Sequence, residues 1–235
     1  ALTNIVFAPL KNGLKSVSLS ANWMWPCKNM GEDARIYEAV RAASDFALAL
    51  GINIPTGKDS LSMTQKYPDG DTVYAPGTVI ISAAAEVIDI RKVIEPVLLP
   101  VENSDLVYIP FSDGPSCLGG SSFGQVVNRI GKHTSTISDP ELFSTAFNEV
   151  QQLIKEDKIL AGHDVSAGGL ITTLLEMCFA NNTVGLTADV SKFLGEDIIR
   201  KLFSEKPAII LQTESGSKLI KSLQIKGIHA QLIGK

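Results

Sequence analysis

One stretch constrains this chain more than any other: Gly162-His163-Asp164-Val165-Ser166-Ala167-Gly168-Gly169-Leu170. The apolar pair Ile159-Leu160 leads into it, and Leu170-Ile171-Thr172-Thr173-Leu174-Leu175-Glu176-Met177-Cys178-Phe179 follows. Leu170, Leu174 and Cys178 recur at helical spacing, as do Ile171 and Leu175. The pattern predicts a strand, a tight glycine turn and a buried helix. Such a turn gathers a carboxylate, a hydroxyl and the N–H groups of a helix start. Those first amides are unpaired and lie at the positive end of the dipole, so they attract anions. Magnesium takes hard oxygen ligands, and Asp164 supplies one. Two readings stand side by side: a site for a metal and a phosphate, or a plain turn in which Asp164 or Ser166 caps the helix.

The rest of the composition limits the partners. The 235 residues are 45% hydrophobic and 20% charged, an ordinary globular balance. That length suits one large domain or two small ones. With 21 Lys and Arg against 25 Asp and Glu the net charge is −4, and there is no basic run. Neither nucleic acid nor a membrane surface is the expected partner. Any anionic ligand must be held locally. Cys27, Cys117 and Cys178 are odd in number and lack CxxC spacing, which argues against a zinc site and a disulfide framework. A reducing, cytoplasmic setting is expected. The amino terminus has no initiating Met, lacks the basic and apolar parts of a signal peptide, and starts in mid-pattern, as a piece of a longer chain would. No segment approaches the roughly 20 apolar residues of a membrane span.

Along the chain, Val17, Leu19 and Ala21 alternate with serines, as in a half-buried strand. Trp23 and Trp25 read as packing residues. A helix starts at Glu32, with Ile36, Val40, Ala43, Ala47 and Leu50 as its apolar stripe and Gly51 as its C-terminal cap. Residues 52–54 read as a short buried strand. Pro55-Thr56-Gly57-Lys58-Asp59-Ser60-Leu61-Ser62-Met63 follows, without the glycine spacing of a phosphate loop. Lys58 and Asp59 either pair with each other on the surface or face a ligand cleft. Residues 67–71 predict a turn, and residues 78–87 a buried strand. A strand begins at Leu106. Leu118-Gly119-Gly120-Ser121-Ser122-Phe123-Gly124 is either a turn needing positive φ or a second backbone cradle for an anion. Ser138-Asp139-Pro140-Glu141 starts a helix with Leu142, Phe143, Ala146, Phe147, Val150 and Ile154 inward. Beyond the focal turn, strands are expected over 185–190, 208–213 and 229–233, and helices over 196–203 and 215–223. Alternating helices and strands give an α/β or mixed α+β fold in two subdomains, divided as 1–101 and 102–235. The pattern does not decide the sheet topology.

The motifs resemble a family. Ala1-Leu2-Thr3-Asn4, Ser20-Ala21-Asn22-Trp23-Met24, Gly31-Glu32-Asp33-Ala34, the stretch from Ile54 to Met63, Leu118-Gly119-Gly120-Ser121 and the Gly-His-Asp turn are similar, in that order, to large-type phosphoribosylformylglycinamidine synthases. The resemblance covers the whole chain. It implies the second half of a tandem related to aminoimidazole ribonucleotide synthetase: part of an N-terminal subdomain, then a C-terminal one. The family converts formylglycinamide ribonucleotide, ATP and glutamine to formylglycinamidine ribonucleotide in purine biosynthesis. ATP activates the amide oxygen, ammonia from a glutaminase domain displaces phosphate, and magnesium screens the phosphate oxygens. The resemblance implies Asn4 and Asp164 as magnesium ligands and Ser166 as a contact to ATP or ADP. The second Asp of the family's turn is Ala167 here. Lys58 and Asp59 match a motif without an assigned role. The implied partners are the first synthase half and the glutaminase domain of the same chain, so residues 1–235 alone are expected to be inactive.

Three other readings compete. One is a related ATP-dependent synthetase, of the aminoimidazole ribonucleotide or selenophosphate type, which the Gly-Lys-Asp-Ser-Leu-Ser-Met stretch disfavours. The second is a non-catalytic module that binds nucleotide only to stabilise an assembly, and the third a subunit-interface domain without a ligand. The histidines do not support a metal hydrolase. Only His163 lies near a carboxylate motif, and His133 and His229 sit in ordinary surface contexts.

Overall fold

A computed structural model describes residues 1–192 and 197–235. The chain divides into two packed units, one of Leu14–Glu86 with Ala1, the other of Leu2–Gly13 with Val87–Lys235. Residues 87–101 thus pack with the second unit. The chain opens with the short helix α1 (Leu2–Ile5), which belongs to that second unit.

The first unit holds β1 (Ser18–Met24), α2 (Glu32–Leu50), β2 (Asn53–Ser60), a small hairpin of β3 (Thr64–Lys66) and β4 (Thr72–Tyr74), and β5 (Thr78–Ala84). β1 is the central strand, parallel to β2 and antiparallel to β5. The parallel pair needs a crossover, and α2 supplies it. Gly51 ends α2 in the left-handed conformation, as expected of a C-terminal cap. Trp25 is buried, donates from Nε1 to Glu32 Oε2 at 2.8 Å, and lies so close to Gly77 that no Cβ fits there. It is a packing residue.

Three expectations for this unit are corrected. Residues 52–54 are not a short buried strand: β2 runs to Ser60 and is mostly exposed. Residues 78–87 are not buried either, since β5 ends at Ala84 and Ile80 is 53% exposed. Both are edge strands of a three-stranded sheet, and no second layer of the unit covers their outward side chains. For the same reason the stripe of α2 is covered only toward its C-terminal end, where Ala47 and Leu50 are buried and Val40 is exposed.

The second unit continues with β6 (Asp105–Pro110), α3 (Ser122–Val126), α4 (Pro140–Lys155), β7 (Ala161–Asp164), α5 (Gly169–Phe179), α6 (Ile198–Phe203), β8 (Ala208–Thr213), α7 (Gly216–Ile225) and β9 (Gln231–Gly234). The sheet order is β7-β8-β6-β9, antiparallel throughout. β8 is buried along its whole length, as an interior strand rich in β-branched residues should be. Tyr108, Ala208 and Ile210 join Leu170, Leu174 and Met177 of α5 in one core. Successive side chains of a strand point to opposite faces, so Ile109 and Phe111 face the other way, where Phe111 meets Phe143 of α4 edge-on at 4.9 Å. Helices therefore cover both faces of the sheet. Asp139 caps α4, accepting from the N–H groups of Glu141 at 2.9 Å and Leu142 at 3.0 Å.

Residues 185–190 do not form the expected strand. They run beside β9, where the Thr187 and Lys235 backbones exchange two bonds, but only Ala188 and Gly234 count as a bridge. The expected start of a helix at Glu196 lies outside the described residues. From Ile198 the helix is present, capped by Asp197.

Candidate functional site

Thr3 and Asn4 stand beside Asp164, across 161 and 160 residues of sequence. Thr3 Oγ1 donates to Asp164 Oδ2 at 3.3 Å, and Asn4 Nδ2 to Asp164 Oδ1 at 3.5 Å. Asp164 is the last residue of β7 and only 8% exposed; Asn4 is exposed. Two devices hold the amino-terminal segment there. Phe7 lies against Gly162, where a Cβ would stand 2.4 Å from its Cε1 atom. Gln151 of α4, 2% exposed, clasps the segment's backbone. Its Oε1 accepts from Leu10 N–H at 2.8 Å, and its Nε2 donates to the carbonyls of Val6 at 2.6 Å and Ala8 at 2.9 Å.

His163 completes the charged group. Its Nδ1 lies 2.9 Å from the Asp164 carbonyl and 3.6 Å from Asp164 Oδ1; its Nε2 lies 3.2 Å from Glu176 Oε2. The Asp164 carboxylate holds the imidazole above its ordinary value, against the opposite push of burial. For Asp164, burial raises the carboxyl, but the hydrogen bonds from His163 and Asn4 outweigh it, and the group sits below its ordinary value. It is a carboxylate at neutral pH. Among the described residues no three His, Cys, Asp or Glu side chains cluster as a metal site. The hard oxygens at hand are the Asp164 carboxylate, the Thr3 hydroxyl and the Oδ1 of Asn4, whose Nδ2 is the atom that faces Asp164, so a shared ion requires the Asn4 amide to turn over. That set suits a magnesium ion that keeps waters or phosphate oxygens as further ligands, and not a zinc ion.

The turn departs from the capping reading of its helix start. Gly168 is the N-cap of α5, in the left-handed conformation with φ 87°, and no side chain caps it. Neither Asp164 nor Ser166 does so. Instead Glu205 Oε1 accepts from Gly168 N–H at 3.0 Å and from Ser122 N–H, at the start of α3, at 2.8 Å. Gly169 donates to the Ser166 carbonyl at 3.0 Å. Ser166 and Ala167 are exposed at the apex of the turn. The glycine stretch before α3 is a turn with positive φ at Gly120, and Ser121 caps the helix by accepting from Gly124 N–H at 3.1 Å.

Lys58 and Asp59 belong to the first unit. They are neighbours on β2, so their side chains point to opposite faces and do not pair. Lys58 Nζ donates to Ser60 Oγ at 3.3 Å. The sequence reading missed Thr3, Gln151 and Glu205. Gln151 had a signal, since it falls on the apolar face of α4 between Val150 and Ile154; Glu205 lies in a polar connection and had none.

Comparison with known proteins places this architecture. Residues 107–235 match the model of the AIR synthase related protein C-terminal domain, which is more than half of the chain. The chain belongs to that family. Residues 1–86 match the FGAR-AT PurM_N-like domain. Human phosphoribosylformylglycinamidine synthase is 39% identical over the whole chain, and an Arabidopsis thaliana protein named as the probable chloroplastic/mitochondrial enzyme is 38% identical. The chain spans only 17% of the length of either relative. Among solved structures, Thermotoga maritima PurL complexed with ATP superposes with a TM-score of 0.66 at 11% identity, over 98% of this chain and 34% of that one. At that identity the likeness is one of fold. It agrees with the mixed α/β architecture read from the sequence. No described helix is long and apolar enough to cross a membrane.

Proposed function

We propose that this chain is a segment of a glutamine-dependent, ATP-consuming ligase that makes formylglycinamidine ribonucleotide from formylglycinamide ribonucleotide in purine biosynthesis. In this reading Asp164 and the Oδ1 of a turned Asn4 amide would hold a magnesium ion, and the exposed Ser166 hydroxyl would meet the nucleotide, ATP or ADP. The ion would neutralise phosphate charge. Asp164 is already ionised to receive it, and Thr3 orients the second carboxylate oxygen. The observation that carries the reading is the approach of Asn4 to Asp164 at 3.5 Å, fixed by the Gln151 clasp. Lys58 and Asp59 remain candidates for a cleft in the first unit. The subdomains by descent divide at 101/102, and the cytoplasm is the expected compartment.

A second reading is a nucleotide held for structure and not turned over. It is favoured by Ala167, which leaves the turn with one carboxylate. Synthase turnover of the full-length protein, wild type and Asp164→Ala, separates the two. Loss of turnover in a folded variant supports a catalytic nucleotide. Full turnover per folded molecule, with one bound nucleotide lost, supports a structural one. Full turnover with the bound nucleotide retained contradicts both.

A further inference from the structure

The end of the second unit's sheet that carries the focal turn also holds a cavity of about 170 Å3. Its inner side is formed by Tyr108 of β6, Val165 after β7 and Leu170 of α5, all buried. Its outer side is polar. Lys201 of α6 and Lys206 stand there half-buried, with the exposed His229 and Asp113. Among the described residues the rim thus carries two ammonium groups and one carboxylate, a balance that favours an anion. None of Thr3, Asn4, His163, Asp164 or Ser166 lines this cavity, so it is separate from the site on Asp164.

A second observation concerns Gln231, which opens β9 opposite Tyr108 and lines the same cavity. Its Oε1 is buried and has no hydrogen-bond partner among the described residues. Buried polar groups are nearly always paired, because an orphan costs the desolvation of the group. Rotation of the amide about its last side-chain bond would present that oxygen to a donor in the cavity. Size limits the occupant. A cavity of about 150 Å3 holds one benzene-sized molecule, whereas drug-sized ligands need about 300 Å3 or more. A nucleotide is too large.

We propose that this cavity binds a small organic oxyanion, a carboxylate or a phosphate monoester of about six to eight non-hydrogen atoms. Its charge lies at Lys201 and Lys206, its carbon body on Val165 and Leu170, and a hydrogen-bond donor at Gln231. The inference does not require a metal or a nucleotide at Asp164.

The test is reductive methylation of the full-length protein followed by peptide mapping, which reads Lys201 individually, with the exposed Lys221 as reference. The probes are lactate, methyl phosphate and lactamide, molecules of matching size; lactamide is the neutral counterpart of lactate. Ligands this small are expected to bind at about 1 mM. Lactate or methyl phosphate at about 10 mM should then slow methylation of Lys201 about tenfold relative to Lys221, and lactamide should not. Protection by one anion and not the other supports the site and names the oxyanion it takes. Gln231→Leu has a similar volume and removes the orphaned acceptor, so it should fold, and it should weaken the binding of the protecting anion about three- to tenfold. The proposal is overturned if neither anion protects Lys201, if lactamide protects it equally, or if Gln231→Leu leaves the protection unchanged.

Discussion

Phe7 lies against Gly162, and the missing Cβ of that glycine is what lets it. An added methyl would stand 2.4 Å from one ring carbon and 3.0 Å from another. Gly162→Ala should therefore push the ring away and destabilise the protein by about 1–3 kcal/mol, the usual range for overpacking a filled site. Since Phe7 follows Asn4 by less than one helical turn, the same substitution should weaken nucleotide binding. Urea unfolding and nucleotide titration of the variant check both.

Gln151 satisfies three backbone groups of the amino-terminal segment from within the core. Gln151→Leu has a similar volume but leaves a buried N–H and two carbonyls without their partner. A loss of about 3 kcal/mol is expected, at roughly 1–3 kcal/mol for each buried group left unpaired, with relaxation reducing the sum. Gln151→Glu should not rescue it, because a carboxylate would face the Val6 and Ala8 carbonyls. Chemical denaturation measures the first effect, and a wild-type midpoint for either variant would contradict this role.

Asp139 holds two N–H groups of the first turn of α4, whose inner face is much of the core. Asp139→Ala should cost about 1 kcal/mol, and Asp139→Asn only a fraction of that. Thermal unfolding of the two variants distinguishes a cap from a mere surface charge, which would cost the same in both.

Asp89 accepts from the backbone and the guanidinium of Arg91, and these bonds, the side-chain one foremost, hold its carboxyl down at about 2 against a reference of 3.8. The sign follows directly. A depressed carboxyl stabilises the fold above the unfolded value and ceases to do so as pH falls from about 4 through about 2. Its partner Arg91 is exposed and solvent screens the pair, so the effect on stability is small and the titration itself is the better observable. Carbon-detected NMR of the carboxyl should give a midpoint near 2, returning toward 3.8 in Arg91→Ala.

Local signals made much of this architecture legible. The Asp139-Pro140 start, the stripe of α4 and the strand–turn–helix at 159–179 are local patterns, and each corresponds to an element in place. The edge strands were misread because an apolar run looks the same whether or not a second layer covers it. Ile80 is the instance: its β-branched neighbours predict burial, yet it sits on a sheet edge with its side chain half exposed. The site was legible only in part. Asp164 and Ser166 stand in one turn, but the contact of Asn4 with Asp164 spans 160 residues and rests on Gln151, whose partners no spacing reveals. Glu205 illustrates the limit most sharply. A helix start beside glycines reads as an open anion cradle, and only the fold shows that the Glu205 carboxylate already accepts from the amides of Ser122 and Gly168.

The most direct test of the central claim is calorimetric titration of magnesium–ADP into the full-length protein, as wild type and Asp164→Ala. A ligand-holding Asp164 predicts that the variant stays folded and loses one bound nucleotide, or binds it at least about tenfold more weakly, the range typical for loss of a group that supports a metal. Unchanged stoichiometry and affinity would contradict the account, and would leave Asp164 as a partner of Thr3, Asn4 and His163 alone.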